Sequence, residues 1–326
     1  MENSRAGIGL LFRPTYWSNT ESAMVKAMGL IPTAAAVAAT ALVGAGLDAK
    51  YSIREDIAQI RTALKHKQYF LDLCKIHGQD DWSFYHIVHK TYGQNEYDEA
   101  FLFEDRSWTY AEYRGEIGRL AEGFQRMGIK NRTVVGMFIN NSPEFIFAWW
   151  ALFKIGAIPA PINTSISQEP FRHCLKISEA EYLITTYELF DIAAASLDLD
   201  ESSSMATSDA FRDARLPRLK SVVIYDYDTY PEASASIPKG FDVLIHNKLP
   251  SPTLAMASWD REVRPKIGAS EPSAYLFTSG TTGPPKAATW PSGWAVAGGS
   301  PNRWPRMFDK KRRTYLCTPM FHGGAA

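Results

Sequence analysis

An α/β fold built on a parallel sheet is predicted by one repeated pattern and one property of the composition. Residues 133–162 read strand, helix, strand, and a further helix and strand follow over 168–185. A strand–helix–strand unit of that length joins parallel strands, since antiparallel neighbours need only a tight turn. Of the 326 residues, 45% are hydrophobic and 21% charged, which is enough apolar material for a sizeable core. The length favours about two domains, and no internal repeat interrupts the pattern.

Charge and cysteine usage narrow the function classes. Lys and Arg number 35 against 35 Asp and Glu. A balanced chain carries no electrostatic footprint for nucleic acid, so no such partner is expected. The three cysteines, Cys74, Cys174 and Cys317, are far apart and form no CxxC pair. Neither a disulfide framework nor a structural zinc site is predicted, and no other metal-ligand set is apparent.

The chain divides into a tail (1–28), an apolar run (29–47), a basic juxtamembrane segment (48–79) and a mixed domain (80–326). The run GLIPTAAAVAATALVGAGL, Gly29 to Leu47, is uncharged over 19 residues, about 28 Å as a helix, and just spans a bilayer core. A single membrane-spanning helix is expected there; a buried or interfacial helix and a signal sequence are the alternatives. A signal sequence fits less well because 28 residues precede the run. Within about 20 residues on either side, two basic residues (Arg13, Lys26) precede the run and five (Lys50, Arg54, Arg61, Lys65, Lys67) follow it. That asymmetry puts the later chain in the cytosol. Ile53, Ile57, Ile60 and Leu64 then recur at helical spacing among basic residues, the pattern of an amphipathic helix lying on a membrane or packed on the next domain.

In the mixed domain each element has a local cause. Ser83 to Tyr92 reads as a short helix, and Ala100–Glu104 with Ser107–Tyr110 as a hairpin about Asp105 and Arg106. Thr109 and Glu112 form a capping box for a helix reaching about Met127, ended by Gly128. Thr133 to Ile139 is a buried strand. Ser142, Pro143 and Glu144 supply an N-cap, a first-turn proline and a first-turn acid for a helix that stops at Gly156. Strands follow at Ala157–Ile162, Tyr182–Thr185, Ser221–Tyr225 and Phe241–Ile245, with a helix over Gln168–Ser178. The stretch 198–216 reads as a solvated loop and the region up to Pro272 as irregular. A last strand is expected at Thr314–Thr318.

The chemistry-bearing string is Tyr275 to Lys286, YLFTSGTTGPPK. A strand runs into Thr278, Ser279, Gly280, Thr281, Thr282 and Gly283, then two prolines and Lys286. The glycines let backbone N–H groups converge without obstruction, four hydroxyls add donors, and Lys286 adds a positive charge; the set suits a polyphosphate. A polar hairpin turn is the plain alternative. The Walker A arrangement is excluded, because Pro285 before the lysine prevents an ordinary helix start.

This string resembles the AMP-binding signature of the acyl-adenylate-forming superfamily of acyl-CoA synthetases, peptide-synthetase adenylation domains and luciferases. Trp108 to Glu112 (WTYAE), Val135 to Phe145 (VGMFINNSPEF) and Trp150 to Ala157 (WALFKIGA) are similar to that superfamily's early blocks. Pro161-Ile162-Asn163, His173-Cys174 and the N-terminal apolar run look most like its fatty acid transport protein, or very-long-chain acyl-CoA synthetase, branch. The resemblance implies the N-terminal portion of an adenylate-forming synthetase large domain. It also implies a two-step ligation of a long- or very-long-chain fatty acid with ATP, Mg²⁺ and CoA, and a coupling of that ligation to fatty acid uptake. The partners implied are the fatty acid, ATP, CoA and a membrane. The localisation implied is endoplasmic reticulum, peroxisome, lipid droplet or plasma membrane, with the catalytic domain facing the cytosol. By the match, Thr278, Ser279, Gly280, Thr281, Thr282, Gly283 and Lys286 hold the β- and γ-phosphates. Pro319 to His322 is similar to the block beside the acyl and adenylate site, which makes His322 a candidate residue there.

The same resemblance implies that the chain stops about halfway, inside the adenylation domain, short of the segments that supply adenine, ribose and Mg²⁺ contacts and the adenylation lysine. A membrane-tethered, inactive binding or scaffold fragment is therefore an alternative, as is a ligase for carnitine or an aryl acid. Trp290-Pro291 replaces the polar residues usual after the phosphate loop. His86 with His89, Asp80 with Asp81, Asp226 with Asp228, and the basic run Lys310 to Arg313 read as packed or solvated residues rather than sites.

Overall fold

The computed structural model describes residues 53–91, 96–199, 215–226, 242–245, 249, 264–278, 283–298, 315–316 and 318–322. The apolar run 29–47 lies outside the described residues. Among the described residues, no helix is long and apolar enough to cross a membrane. Two units divide at Leu71 and Asp72. Of the first, the described part is the bulk of helix α1 (Ile53–His77), which opens with Glu55 and Asp56 in its first turn, where acids favour the helix dipole. It is longer than the periodic stretch Ile53–Leu64 indicated.

In the second unit, α2 (Phe84–Thr91) precedes a hairpin of β1 (Glu99–Phe103) and β2 (Arg106–Thr109). The turn sits at Glu104 and Asp105, one residue earlier than expected, with Glu104 at φ 55. The capping box is present: Glu112 N donates to Thr109 Oγ1 at 3.2 Å, and Thr109 N donates to Glu112 Oε2 at 2.9 Å. It opens α3 (Tyr110–Arg126). Strand β3 (Val134–Phe138) leads to α4 (Pro143–Ile155), capped by Ser142 and closed by Gly156 at φ 74. Only glycine fits there. Besides the strain of a left-handed backbone, a Cβ would lie 2.5 Å from Asn131 Oδ1 and 2.8 Å from Pro265 Cβ.

After β4 (Ile158–Pro161) come α5 (Gln168–Ser178), β5 (Tyr182–Thr185), α6 (Tyr187–Ser196), β6 (Ser221–Asp226) and β7 (Asp242–Ile245). These strands form one parallel sheet in the order β4-β3-β5-β6-β7. Successive side chains on a strand face opposite sides, and β3 shows the consequence. Val135 and Met137 join Ile117, Leu120, Phe124, Phe147 and Ala148 from α3 and α4, while Val134 and Phe138 join Phe171, Cys174, Leu175, Leu189 and Ala193 from α5 and α6. The sheet is thus covered on both faces, which explains why all five β3 residues are buried.

Strand β4 ends the sheet for a chemical reason. Ile158 N donates to Thr133 O, just before β3, and Ile162 N to Met137 O on β3, both at 2.8 Å. The intervening Pro159 and Pro161 occupy the positions whose nitrogens face the other edge, and proline has no N–H to offer there. Strand β8 (Pro272–Thr278) packs against β4 but pairs instead with β9 (Lys286–Pro291), antiparallel. A short helix, α7 (Ser292–Gly298), follows.

Two sequence expectations are corrected. Helix α6 falls where no element was foreseen between the strand at Tyr182–Thr185 and the loop from 198. The strand at Thr314–Thr318 is not formed at Tyr315 and Leu316, which are irregular and exposed. Among the described residues no neighbouring strand pairs with them.

His86 carries a pH liability. Burial first, then the positive charges of Arg264 and Lys154, push its imidazole down to about 4, and Ser83 Oγ lies 2.7 Å from its Nδ1. The folded ring stays neutral where the unfolded ring takes a proton. Stability is therefore full above about pH 6.5 and falls as pH drops towards 4, by at most about 3 kcal/mol. Urea midpoints at pH 5 and 7.5 should differ for the native chain, and His86→Asn should flatten that difference. Equal pH slopes for the two proteins would contradict the assignment.

Candidate functional site

The string Tyr275 to Lys286 runs from β8 (Pro272–Thr278) into β9 (Lys286–Pro291) and connects the two strands of this hairpin. Its neck is fixed by the pairing of Thr278 with Lys286, reinforced by Thr278 Oγ1 donating to Lys286 O at 3.4 Å. Directly paired residues of an antiparallel ladder project to one face, so the Thr278 hydroxyl and the Lys286 ammonium share a face of the hairpin. Both are exposed. Ser279, Gly280, Thr281 and Thr282 lie outside the described residues. Lys286 starts a strand and not a helix, in keeping with the exclusion of a Walker A loop.

Gly283 departs from the sequence expectation in one respect. It is not among the positive-φ residues, and a Cβ built on it meets nothing within 4 Å. Among the described residues nothing therefore opposes a side chain at 283; what glycine leaves open there is approach from outside. That separation makes Gly283 a useful probe of ligand access.

The descending arm of the loop is held from α5. His173 Nε2 is 3.0 Å from Pro285 O; a carbonyl only accepts, so this ring nitrogen carries the proton and donates. His173 was singled out only as part of a resembling string. The next residue, Cys174, faces the sheet from α5, where burial pushes its thiol up to about 12 and leaves it unreactive.

A second cluster lies past the carboxyl ends of β3 and β5. The strand order reverses here, since β4 and β5 flank β3 on opposite sides. Open α/β sheets bind ligands in the crevice at such a switch point. Asn141, just after β3, uses both ends of its amide: Nδ2 donates to Thr318 O at 3.0 Å, and Oδ1 accepts from Met320 N at 2.7 Å. Pro319 is thereby pinned between two bonds, and His322 N closes the turn by donating to Pro319 O at 3.0 Å. His322 is exposed. Beside this clamp, Asn140 Nδ2 donates to Glu188 Oε1 at 3.1 Å, joining the β3 end to the first turn of α6. Thr185 Oγ1 donates to Phe138 O at 3.0 Å across the two strands.

The structure therefore groups Thr278, Gly283 and Lys286 on one hairpin and anchors the His322 turn separately, at the switch point. Sequence reasoning missed Asn141 as a clamp. Its partners are 177 and 179 residues away, and no local pattern carries such a signal. No cluster of three or more metal-binding side chains occurs among the described residues.

Comparison with known proteins bears on the same region. A family model described as AMP-binding enzyme matches residues 89–326. Among curated proteins, a crotonobetaine/carnitine–CoA ligase of Shigella flexneri serotype 5b is 29% identical over 179 residues, 55% of this chain and 30% of that protein. The crotonobetaine/carnitine–CoA ligase of Escherichia coli O1:K1 is 30% identical over 179 residues, 55% of this chain and 29% of that protein. The match thus spans less than a third of the length of these relatives. Among solved structures, an o-succinylbenzoate coenzyme A synthetase from Bacillus subtilis in complex with AMP aligns over 76% of this chain and 51% of that one, at 16% identity and a TM-score of 0.48.

Proposed function

Because the chain belongs to the AMP-binding enzyme family, we propose that it forms the ATP-phosphate-binding part of an AMP-forming acid–CoA ligase. In the first half-reaction a substrate carboxylate oxygen attacks the α-phosphorus of ATP, and the bond to the bridging oxygen breaks to release pyrophosphate. In the second, the thiol sulfur of CoA attacks the acyl carbon, its proton passes to solvent or base, and AMP leaves with the bonding pair. The observation that carries this reading is the β8–β9 hairpin, with Thr278 and Lys286 paired at the neck of a Gly/Thr-rich loop and open space at Gly283.

The chemistry asks for such a loop. An anion must approach a polyanion, so the phosphates need fixed positive charge and preorganised donors before the carboxylate can close in. Lys286, Thr278 and the loop hydroxyls are suited to orient the β- and γ-phosphates of ATP, with Mg²⁺ entering as part of the nucleotide. The turn at Pro319–His322, held by Asn141, is the neighbouring candidate wall for the acid.

For the acid we favour a long- or very-long-chain fatty acid. The support is the form of Pro161-Ile162-Asn163 and His173-Cys174 and the apolar run before α1. The relatives' names favour a second reading, a small polar acid of the carnitine type. ATP–pyrophosphate exchange, measured in a chain extended to the length of the curated relatives, separates the two. Exchange dependent on palmitate or a longer acid supports the first; exchange with carnitine or an aryl acid alone overturns it. No acid-dependent exchange with any of them would favour the scaffold reading.

The location that accompanies this reading is a membrane, with the domain on the cytosolic side. Three sequons bear on it, Asn131, Asn140 and Asn163. Asn131 is a poor reporter because its Nδ2 donates to Lys266 O at 3.4 Å and its Oδ1 is buried. Asn163 is the informative one: its Oδ1 accepts from Ser165 N at 2.9 Å in an exposed turn, leaving the amide nitrogen outside that bond. Endoglycosidase treatment of chain made in a secretory-competent cell should leave its mass unchanged. A glycan on Asn163 would reverse the orientation.

A further inference from the structure

We propose that residues 57–71 of α1 form a docking surface for an anionic lipid bilayer, lying along it with the apolar stripe turned into the headgroup layer. The proposal is independent of which acid the enzyme activates. Ile57, Ile60, Leu64 and Leu71 fall within an arc of about 60° on a helix of 3.6 residues per turn. Leu64 is 54% and Leu71 44% exposed two turns apart, while Ile57 and Ile60 are half-buried; a face fully packed on protein would cover the two leucines as well. Arg61 and Lys65 stand on one flank of the stripe and Lys67 on the other, all three exposed. Long basic side chains on both flanks let the apolar face sink while their charges reach headgroups.

Charge identifies the occupant. Acidic residues are confined to the ends of α1, Glu55 and Asp56 at the start and Asp72 near the finish, and Asp72 is already paired with Lys75 at 3.1 Å. Between them, 57–71 holds Arg61, Lys65 and Lys67 and no acid. A second copy of the same helix would bring like charges together. A lipid surface bearing negative headgroups complements the stretch instead, at about 1 kcal/mol per basic residue. Chain length adds a constraint: the apolar run ends at Leu47, and the five residues 48–52 reach at most about 18 Å when extended. A bilayer engaged by the run would lie within reach of α1 from its first turn.

The test uses the whole 326-residue chain, so that any contribution of the apolar run is common to every variant. Binding is measured by co-sedimentation with vesicles of phosphatidylcholine alone and of phosphatidylcholine with 30 mol% phosphatidylserine, a proportion set at roughly that of an anionic leaflet. Native chain should prefer the anionic vesicles, and the triple variant R61Q/K65Q/K67Q should lose that preference by ~10²-fold while binding neutral vesicles as before. L64Q/L71Q should weaken binding to both. Restoring charge with R61K/K65R/K67R should restore the preference, which separates the effect from misfolding. Equal binding of native and triple-variant chain to anionic vesicles would overturn the proposal. So would a lipid-free dimer, seen by sedimentation, that L64Q/L71Q abolishes.

Discussion

Lys286→Ala should lower acyl-adenylate formation by at least ~10²-fold, the usual cost of removing one preorganised electrostatic group from a developing charge. The hairpin neck supplies the reason. The pairing with Thr278 fixes the backbone of Lys286, and the Thr278 hydroxyl bonds to its carbonyl. The ammonium therefore projects from an anchored strand end, and its loss removes charge without loosening the ladder. Lys286→Arg keeps the charge but replaces a compact ammonium with a planar fork, so partial activity is expected. Gly283→Val provides the companion test. Since a Cβ there meets nothing within 4 Å and the backbone is not left-handed, the variant should fold with a melting temperature close to native yet lose activity by a similar factor, through blocked approach alone. The readout is ATP–pyrophosphate exchange in a chain extended to the length of the curated relatives. Undiminished exchange in Lys286→Ala would reduce the loop to a structural turn. A Gly283→Val protein that fails to fold would show that the glycine serves the backbone rather than the ligand.

The parts of this fold that were legible in the sequence are those with local causes. Thr109 with Glu112, and Ser142 with Pro143 and Glu144, announce helix starts because caps act within one turn, and both starts occur where they were read. The parallel pairing of β3 with β4 followed from the length of the intervening helix. Helix α6 was missed although Glu188 sits in its first turn. Its N-cap, Thr186, makes no side-chain capping bond, and the preceding strand runs directly into it without a break. Strand β9 was missed because AATW carries no alternation of polar and apolar residues; the β8 partner, and not local preference, makes it a strand. Of the strand expected at Thr314–Thr318, Tyr315 and Leu316 show the converse: among the described residues no strand pairs with them. At the site, the loop residues were legible as a string, whereas the contact that holds the loop, His173 to Pro285, and the one that holds the His322 turn, from Asn141, each join residues more than a hundred positions apart.

Asn141→Ala should detach the Pro319–His322 turn from the switch point while sparing the hairpin. The variant removes two hydrogen bonds at once, the 3.0 Å donation to Thr318 O and the 2.7 Å acceptance from Met320 N. At ~1 kcal/mol each, the docked state of the turn loses about 2 kcal/mol, or roughly 30-fold in population. If the turn lines the acid site, that loss appears as a raised KM for the acid and a lowered kcat, because misplacement by an ångström costs rate as well as binding. The KM for ATP should change little, since Thr278 and Lys286 sit on a different element. Asn141→Asp sharpens the test. An aspartate keeps the acceptor for Met320 N, loses the donor to Thr318 O and sets a negative charge against that carbonyl, so it should fall between native and alanine at neutral pH. It should improve as the carboxyl takes a proton near pH 4 and regains a donor; that recovery is to be read as a ratio to the native chain at each pH, because His86 destabilises both proteins over the same range. A purely structural role predicts something different: equal losses for acid and ATP, a lowered melting temperature, and no recovery of the Asp variant on acidification.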